Sequence, residues 1–119
     1  MRPLLIAIGA ATIALTASSR AATSPVSLAV AGRANANVSL AASRAFLVAV
    51  WSASLPTGET DIYAASSRDA GRTFSTPVRV NSTPGDARVN GEQPPRVALK
   101  GSGPTPEIVV VWTAKGTAG

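Results

Sequence analysis

The feature that most narrows what this chain can become is an internal repeat. Val38-Ser39-Leu40, followed by Phe46-Leu47-Val48-Ala49-Val50-Trp51-Ser52-Ala53, returns as Val97-Ala98-Leu99, followed by Glu107-Ile108-Val109-Val110-Val111-Trp112-Thr113-Ala114. The connecting loop is two residues longer in the second copy, and the two tryptophans stand 61 positions apart. Between the copies, short Val-, Ile- and Leu-rich stretches alternate with Gly, Pro, Asn and Ser, and no segment keeps apolar residues at helical spacing for long. The pattern therefore predicts strands, at residues 26–30, 37–41, 45–52, 61–66, 76–81, 96–99 and 107–113. The continuously apolar interior of 46–51 predicts a strand covered on both faces. Pro56-Thr57-Gly58, Asp69-Ala70-Gly71, Pro84-Gly85-Asp86 and Gly101-Ser102-Gly103-Pro104 predict the turns, combining the fixed φ of Pro with the tolerance of Gly for positive φ.

A weaker echo relates Ser24-Pro25-Val26-Ser27-Leu28 to Thr76-Pro77-Val78-Arg79-Val80, each standing shortly before a Val-x-Leu strand. The chain thus starts on a fourth-strand type, runs through strands one to four, and restarts. About four strands per unit, at a period of roughly 40 to 60 residues, is the sequence form of a β-propeller. The expected fold is all-β: a propeller fragment with a closing strand, one four-stranded blade and the first half of a second, after an N-terminal signal helix. The boundaries on this reading are a signal peptide at 1–22, a closing strand and linker at 23–36, a first blade at 37–81 and an incomplete second blade at 82–119. Gly119 follows Trp112 by seven positions, as Gly58 follows Trp51, so the sequence is expected to stop in mid-blade. A ring needs about four blades to close, so the missing C-terminal blades of the same chain are expected partners.

Residues 1–22 have the layout of an export signal. Arg2 gives a positive start, residues 4–17 form an uncharged apolar run, and Ser18-Ser19-Arg20-Ala21-Ala22 turns small and polar, with cleavage expected after Ala21 or Ala22. The run is shorter than the roughly 20 residues that span a bilayer as a helix, so no membrane association is expected after cleavage, an uncleaved anchor being the other reading. The expected location is periplasmic or extracellular. Cysteine and histidine are both absent, which removes disulfides, thiolate or histidine metal sites and a serine-histidine triad from this segment. No metal and no cofactor is expected. The formal charge of +5 falls to +3 without Arg2 and Arg20, and the remaining arginines form no run, so no nucleic-acid partner is expected.

Between the expected third and fourth strands stands Ser67-Arg68-Asp69-Ala70-Gly71-Arg72-Thr73-Phe74. It resembles the Asp-box, Ser-x-Asp-x-Gly-x-Thr-Trp/Phe, of bacterial sialidases and related propellers, matching at Ser67, Asp69, Gly71, Thr73 and Phe74. The resemblance covers residues from about 37 to 119. The residues give the box a structural reading. Asp69 can accept hydrogen bonds from its own turn, Gly71 permits a backbone a side chain would resist, Ser67 and Thr73 offer hydroxyls, and Phe74 packs inward. Trp51 and Trp112 are the expected blade-core residues.

In sialidases the resemblance would imply an arginine cluster gripping the sugar carboxylate, a tyrosine nucleophile assisted by a glutamate, and an aspartate acid/base. This chain matches none of those motifs. Its one tyrosine, Tyr63, precedes Asp69 by six residues and is expected to pack, and neither Arg33 nor Arg96 sits in the family's early arginine pattern. Glu59, Asp61, Asp86, Glu92 and Glu107 show no spacing that marks an acid/base pair. No catalytic residue is assigned and the substrate-binding residues are left unknown. Two functions stay open: an exported, non-catalytic propeller module that binds glycans or other extracellular partners, and the N-terminal part of an exo-α-sialidase-type glycoside hydrolase whose reacting residues lie beyond Gly119. A third reading is a small interaction protein that completes its sheet by oligomerising.

Overall fold

The computed structural model describes residues 24–116, and the expected signal segment lies outside them. Six strands form two antiparallel sheets: β1 (Ala34–Ser43), β2 (Phe46–Ser54), β3 (Thr60–Ser67) and β4 (Val78–Arg79) in the order β1-β2-β3-β4, and β5 (Arg96–Lys100) paired with β6 (Glu107–Val111). The described residues are all-β.

Strand β2 lies between β1 and β3, and Phe46, Val48, Ala49, Val50, Trp51 and Ala53 are all buried. Its alternate residues serve two separate cores. Phe46, Val48 and Val50 face the second sheet, where Val97, Leu99 and Val110 pack against them with Ala41 and Ala64. Ala49, Trp51 and Ala53 point the other way with Ala65, and Tyr63, Phe74, Leu28 and Val30 cover them. The hydroxyl of Ser39 on β1 donates to the carbonyl of Pro95, immediately before β5, and pins the sheets together.

Ile62 and Ala87 are buried beside these cores, while several apolar side chains remain exposed. Val38 and Leu40 on β1 and Val78 on β4 are more than half accessible, as is Val111 on β6, and Ile108 and Val109 are partly so. The second sheet thus has one covered face and one open face.

Several boundaries differ from the sequence expectation, each for a local reason. Residues 26–30 form no strand: both backbone polar groups of Val30 are taken by the Asn35 side chain, its N–H donating to Oδ1 at 2.9 Å and its carbonyl accepting from Nδ2 at 3.1 Å. The segment is an irregular strap that lays Leu28 and Val30 on the Trp51 core. Strand β1 begins earlier than residue 37 and carries a register shift between Ala36 and Ser39. Asn37 absorbs it at φ 57°, a region that Asn enters more readily than most residues. Strand β4 shrinks to two residues because the Asn81 side chain, not another ladder bond, receives the N–H of Ile62 at 2.8 Å. Strand β6 ends at Val111, and the chain then crosses to residues 86–88, where Arg88 N–H donates to Thr113 carbonyl at 2.7 Å and Lys115 N–H to Asp86 carbonyl at 2.7 Å.

The contrast between buried and exposed valines and leucines on this small sheet gives a direct test. Val48→Ala is expected to destabilise the chain by about 2 kcal/mol in urea denaturation, whereas Leu40→Ala, at a position 65% exposed, is expected to change it by less than about 0.5 kcal/mol.

Candidate functional site

Two polar constellations stand out, one at each end of β3. The first is the turn of residues 67–74. Ser67 is the buried last residue of β3, and its hydroxyl donates to Asp69 Oδ1 at 2.7 Å while accepting from Gly71 N–H at 2.9 Å and Asp69 N–H at 3.3 Å. Asp69 accepts from Thr73 N–H at 2.9 Å and from the Thr73 hydroxyl through its second oxygen. Ala70 and Gly71 both have positive φ, 60° and 86°, and a side chain at Gly71 would crowd Leu47 Cδ2 at 3.4 Å. Ala70 N–H donates to the Ala45 carbonyl at 2.9 Å, fastening this turn to the β1–β2 turn. Phe74 packs on the Trp51 core.

The Thr73 hydroxyl, the Thr73 N–H and the Ser67 hydroxyl together hold the Asp69 carboxyl at about 2, well below its ordinary value. Donors aimed at the charged form have this effect. A carboxylate so held is ionised at neutral pH and is poorly matched to general acid or base work, which favours a pKa near the operating pH.

The second constellation surrounds Asp61, which is 2% exposed. Arg33 Nη1 donates to Asp61 Oδ2 at 2.7 Å and to the Ala53 carbonyl at 3.1 Å. Asp61 Oδ1 accepts from Asn81 Nδ2 and from Gly85 N–H, each at 2.7 Å. Asn81 reaches further, to the Thr83 carbonyl at 2.9 Å and Asp86 Oδ1 at 3.1 Å. Burial pushes the Asp61 carboxyl up, but the bonds from Gly85, Asn81 and Arg33 and the Arg33 charge outweigh it, so the group stays below the usual range. The Arg33 guanidinium also lies over the Tyr63 ring at 5.5 Å, and Tyr63 stacks on Trp51 with centroids 6.4 Å apart. Trp51 Nε1 donates to Asn35 Oδ1 at 3.0 Å. Both Asp61 oxygens and the Asn81 amide are taken up by other protein groups, which makes the network a structural clamp.

The site residues named from the sequence thus fall in two places. Ser67, Asp69, Gly71 and Thr73 meet in one turn, and Phe74 extends from it to the Trp51 core. Trp112 stands apart: it follows β6, is half-buried, and its Nε1 is buried with no hydrogen-bond partner among the described residues. Sequence reasoning missed the joining of Arg33, Asp61 and Asn81, which lie 28 and 20 positions apart in two pairs. The available signal was the rarity of acidic residues, since Asp61 stands near the start of a strand and directly before Ile62. No cluster of three or more metal-ligating side chains occurs among the described residues.

A cleft of about 270 Å³ runs along the Trp51 side, lined by Leu28, Asn35, Asn37 and Val38 among others. Its amides are already committed, Asn35 to Trp51, Val30 and Arg33, and Asn37 Nδ2 to the Ser52 hydroxyl at 3.1 Å. Comparison with known proteins supplies no relative: no family model, no curated protein and no solved structure matches the chain.

The two carboxylates make separable predictions. Because the folded-state pKa of Asp69 is depressed, its contribution to stability is complete above about 3.8 and is lost as pH falls through about 2. Stability measured by denaturation is expected to drop between those values, with a shallower drop in Asp69→Asn; identical slopes would contradict the hydrogen-bonded turn. Asp61→Ala is expected to destabilise by about 3 kcal/mol, the range for breaking a buried pair. Arg33→Ala should cost less, because Asp61 keeps its bonds to Gly85 and Asn81.

Proposed function

We propose that this chain is part of an exported, sialidase-like Asp-box β-propeller and that it works by binding, with glycans or other extracellular partners as ligands, and not by catalysis. The observation that carries the reading is the state of Asp69. Its carboxylate is spent on Ser67 and Thr73 within a turn that holds β3 to the β1–β2 hairpin. An Asp-box of structural purpose has that arrangement, and the strand order supports a blade: a four-stranded antiparallel meander with the repeat's next copy stacked on one face. On this reading the open face of β5 and β6 receives further propeller structure, and the apolar run before residue 18 directs export.

The buried carboxylate, Asp61, is locked by Arg33, Asn81 and Gly85 and is equally unsuited to proton transfer. Binding fits such a rigid, internally satisfied frame, which presents loops without needing a reactive group of its own.

The test is to pass the full chain over an array of neutral and acidic glycans and to assay it in parallel with a fluorogenic sialoside. Retention of at least one glycan class with no release of the fluorophore is the expected result. Release of sialic acid would replace the binding reading with the hydrolase, and retention of no glycan would remove glycans as its ligand.

A further inference from the structure

The cleft between the β1–β2 turn, the start of the 67–74 turn and the β5–β6 loop differs from the Trp51 cleft in having unspent charge. Its volume is about 310 Å³, and Ser43, Arg44, Phe46, Arg68, Pro104 and Thr105 line it. That is room for about ten waters, at the lower end of the range for small-ligand pockets. Two arginines line it and no acidic residue does. The ion pair found among the described residues, Arg33–Asp61, does not involve either one. Asp69, next to Arg68 in sequence, has its carboxylate turned to Ser67 and Thr73.

Both arginines stand on fixed backbone. Arg68 follows the buried Ser67, and the Ala70 N–H to Ala45 carbonyl bond ties its turn to the one that carries Arg44. Arg44 is itself held at φ 56°, in the left-handed region that costs a side chain and costs glycine nothing. A two-residue hairpin turn at that position favours glycine or asparagine, so the fold accepts strain to place a guanidinium here. Strained positions of this kind concentrate where a ligand is held.

We propose that this cleft binds an acidic saccharide unit, its carboxylate or sulfate held by Arg44 and Arg68. The guanidinium fork matches such oxyanions in a way a lysine does not. The hydroxyls of Ser43 and Thr105 offer both donors and acceptors to sugar hydroxyls, and Pro104 supplies apolar surface for the ring. The proposal rests on the binding reading above and gives it a ligand class and a place, at the junction of the two repeats.

The experiment is a titration of the isotopically labelled full chain with glucuronate, glucose and inorganic sulfate, followed by amide chemical shifts. Glucuronate is expected to move the amides of Arg44, Ala45 and Thr105 in a saturable way, glucose to leave them in place, and sulfate to bind at least tenfold more weakly than glucuronate. Arg44→Gly removes the charge and the backbone strain together. It is expected to weaken glucuronate binding at least tenfold with no fall in the thermal midpoint, and Arg68→Ala to weaken it similarly. Shifts at other residues only, or affinity unchanged in both variants, would overturn the site. Equal affinity for sulfate and glucuronate would overturn the saccharide assignment. If a neutral glycan is retained on the array while glucuronate leaves this cleft untouched, the cleft proposal fails and the broader binding reading stands.

Discussion

The double burial of β2 is the constraint on which the rest depends. An apolar run in which every residue from Val48 to Ala53 is almost fully hidden needs cover on both faces. Its neighbours in the sheet supply the hydrogen bonds, but only other layers can take its side chains from water. The second sheet does this on the Val48 and Val50 side, and the strap of residues 28–30 with Phe74 does it on the Trp51 side. The two copies of the repeat are therefore not independent units. The first is folded in part because the second lies on it, which is the logic of stacked-repeat architectures.

Polar side chains then fix what the apolar ones leave loose. Ser39 joins the sheets, the hydrogen bonds of residues 67–73 close the β3–β4 connection, and Asp61 gathers Arg33, Asn81 and Gly85 around the opening of β3. Asn takes up backbone irregularity in three places, twice by replacing a missing backbone partner and once through its own φ. Asn35 replaces a strand beside Val30, Asn37 absorbs the register shift, and Asn81 replaces a ladder bond to Ile62. Arg44 and Arg68 stand outside these networks, and neither is ion-paired among the described residues.

The strands that the sequence marks clearly are β2, β3, β5 and β6, which form close to where the apolar pattern puts them, β6 two residues short of it. The early half of β1 was not legible because Ala34-Asn35-Ala36-Asn37 carries no apolar alternation and gains its place only by pairing with β2. Residues 26–30 failed in the opposite sense. Their Val and Leu fit a strand pattern, yet they are used for burial while Asn35 takes the Val30 backbone. The 67–74 turn was legible because its side-chain hydrogen bonds are local, within four residues. The Arg33–Asp61–Asn81 clamp was not, since its members meet only after β1, β2 and β3 have assembled.

Native-state hydrogen exchange addresses the dependence of the fold on β2 most directly. The account predicts that the amides of Val48, Ala49, Val50 and Trp51 exchange only through global unfolding, with one shared opening free energy, while the β6 amides that face away from β5 exchange orders of magnitude faster. Fast or unequal exchange along β2, at rates like those of the β6 edge, would contradict it: the strand would then not be the doubly covered centre on which both sheets are built.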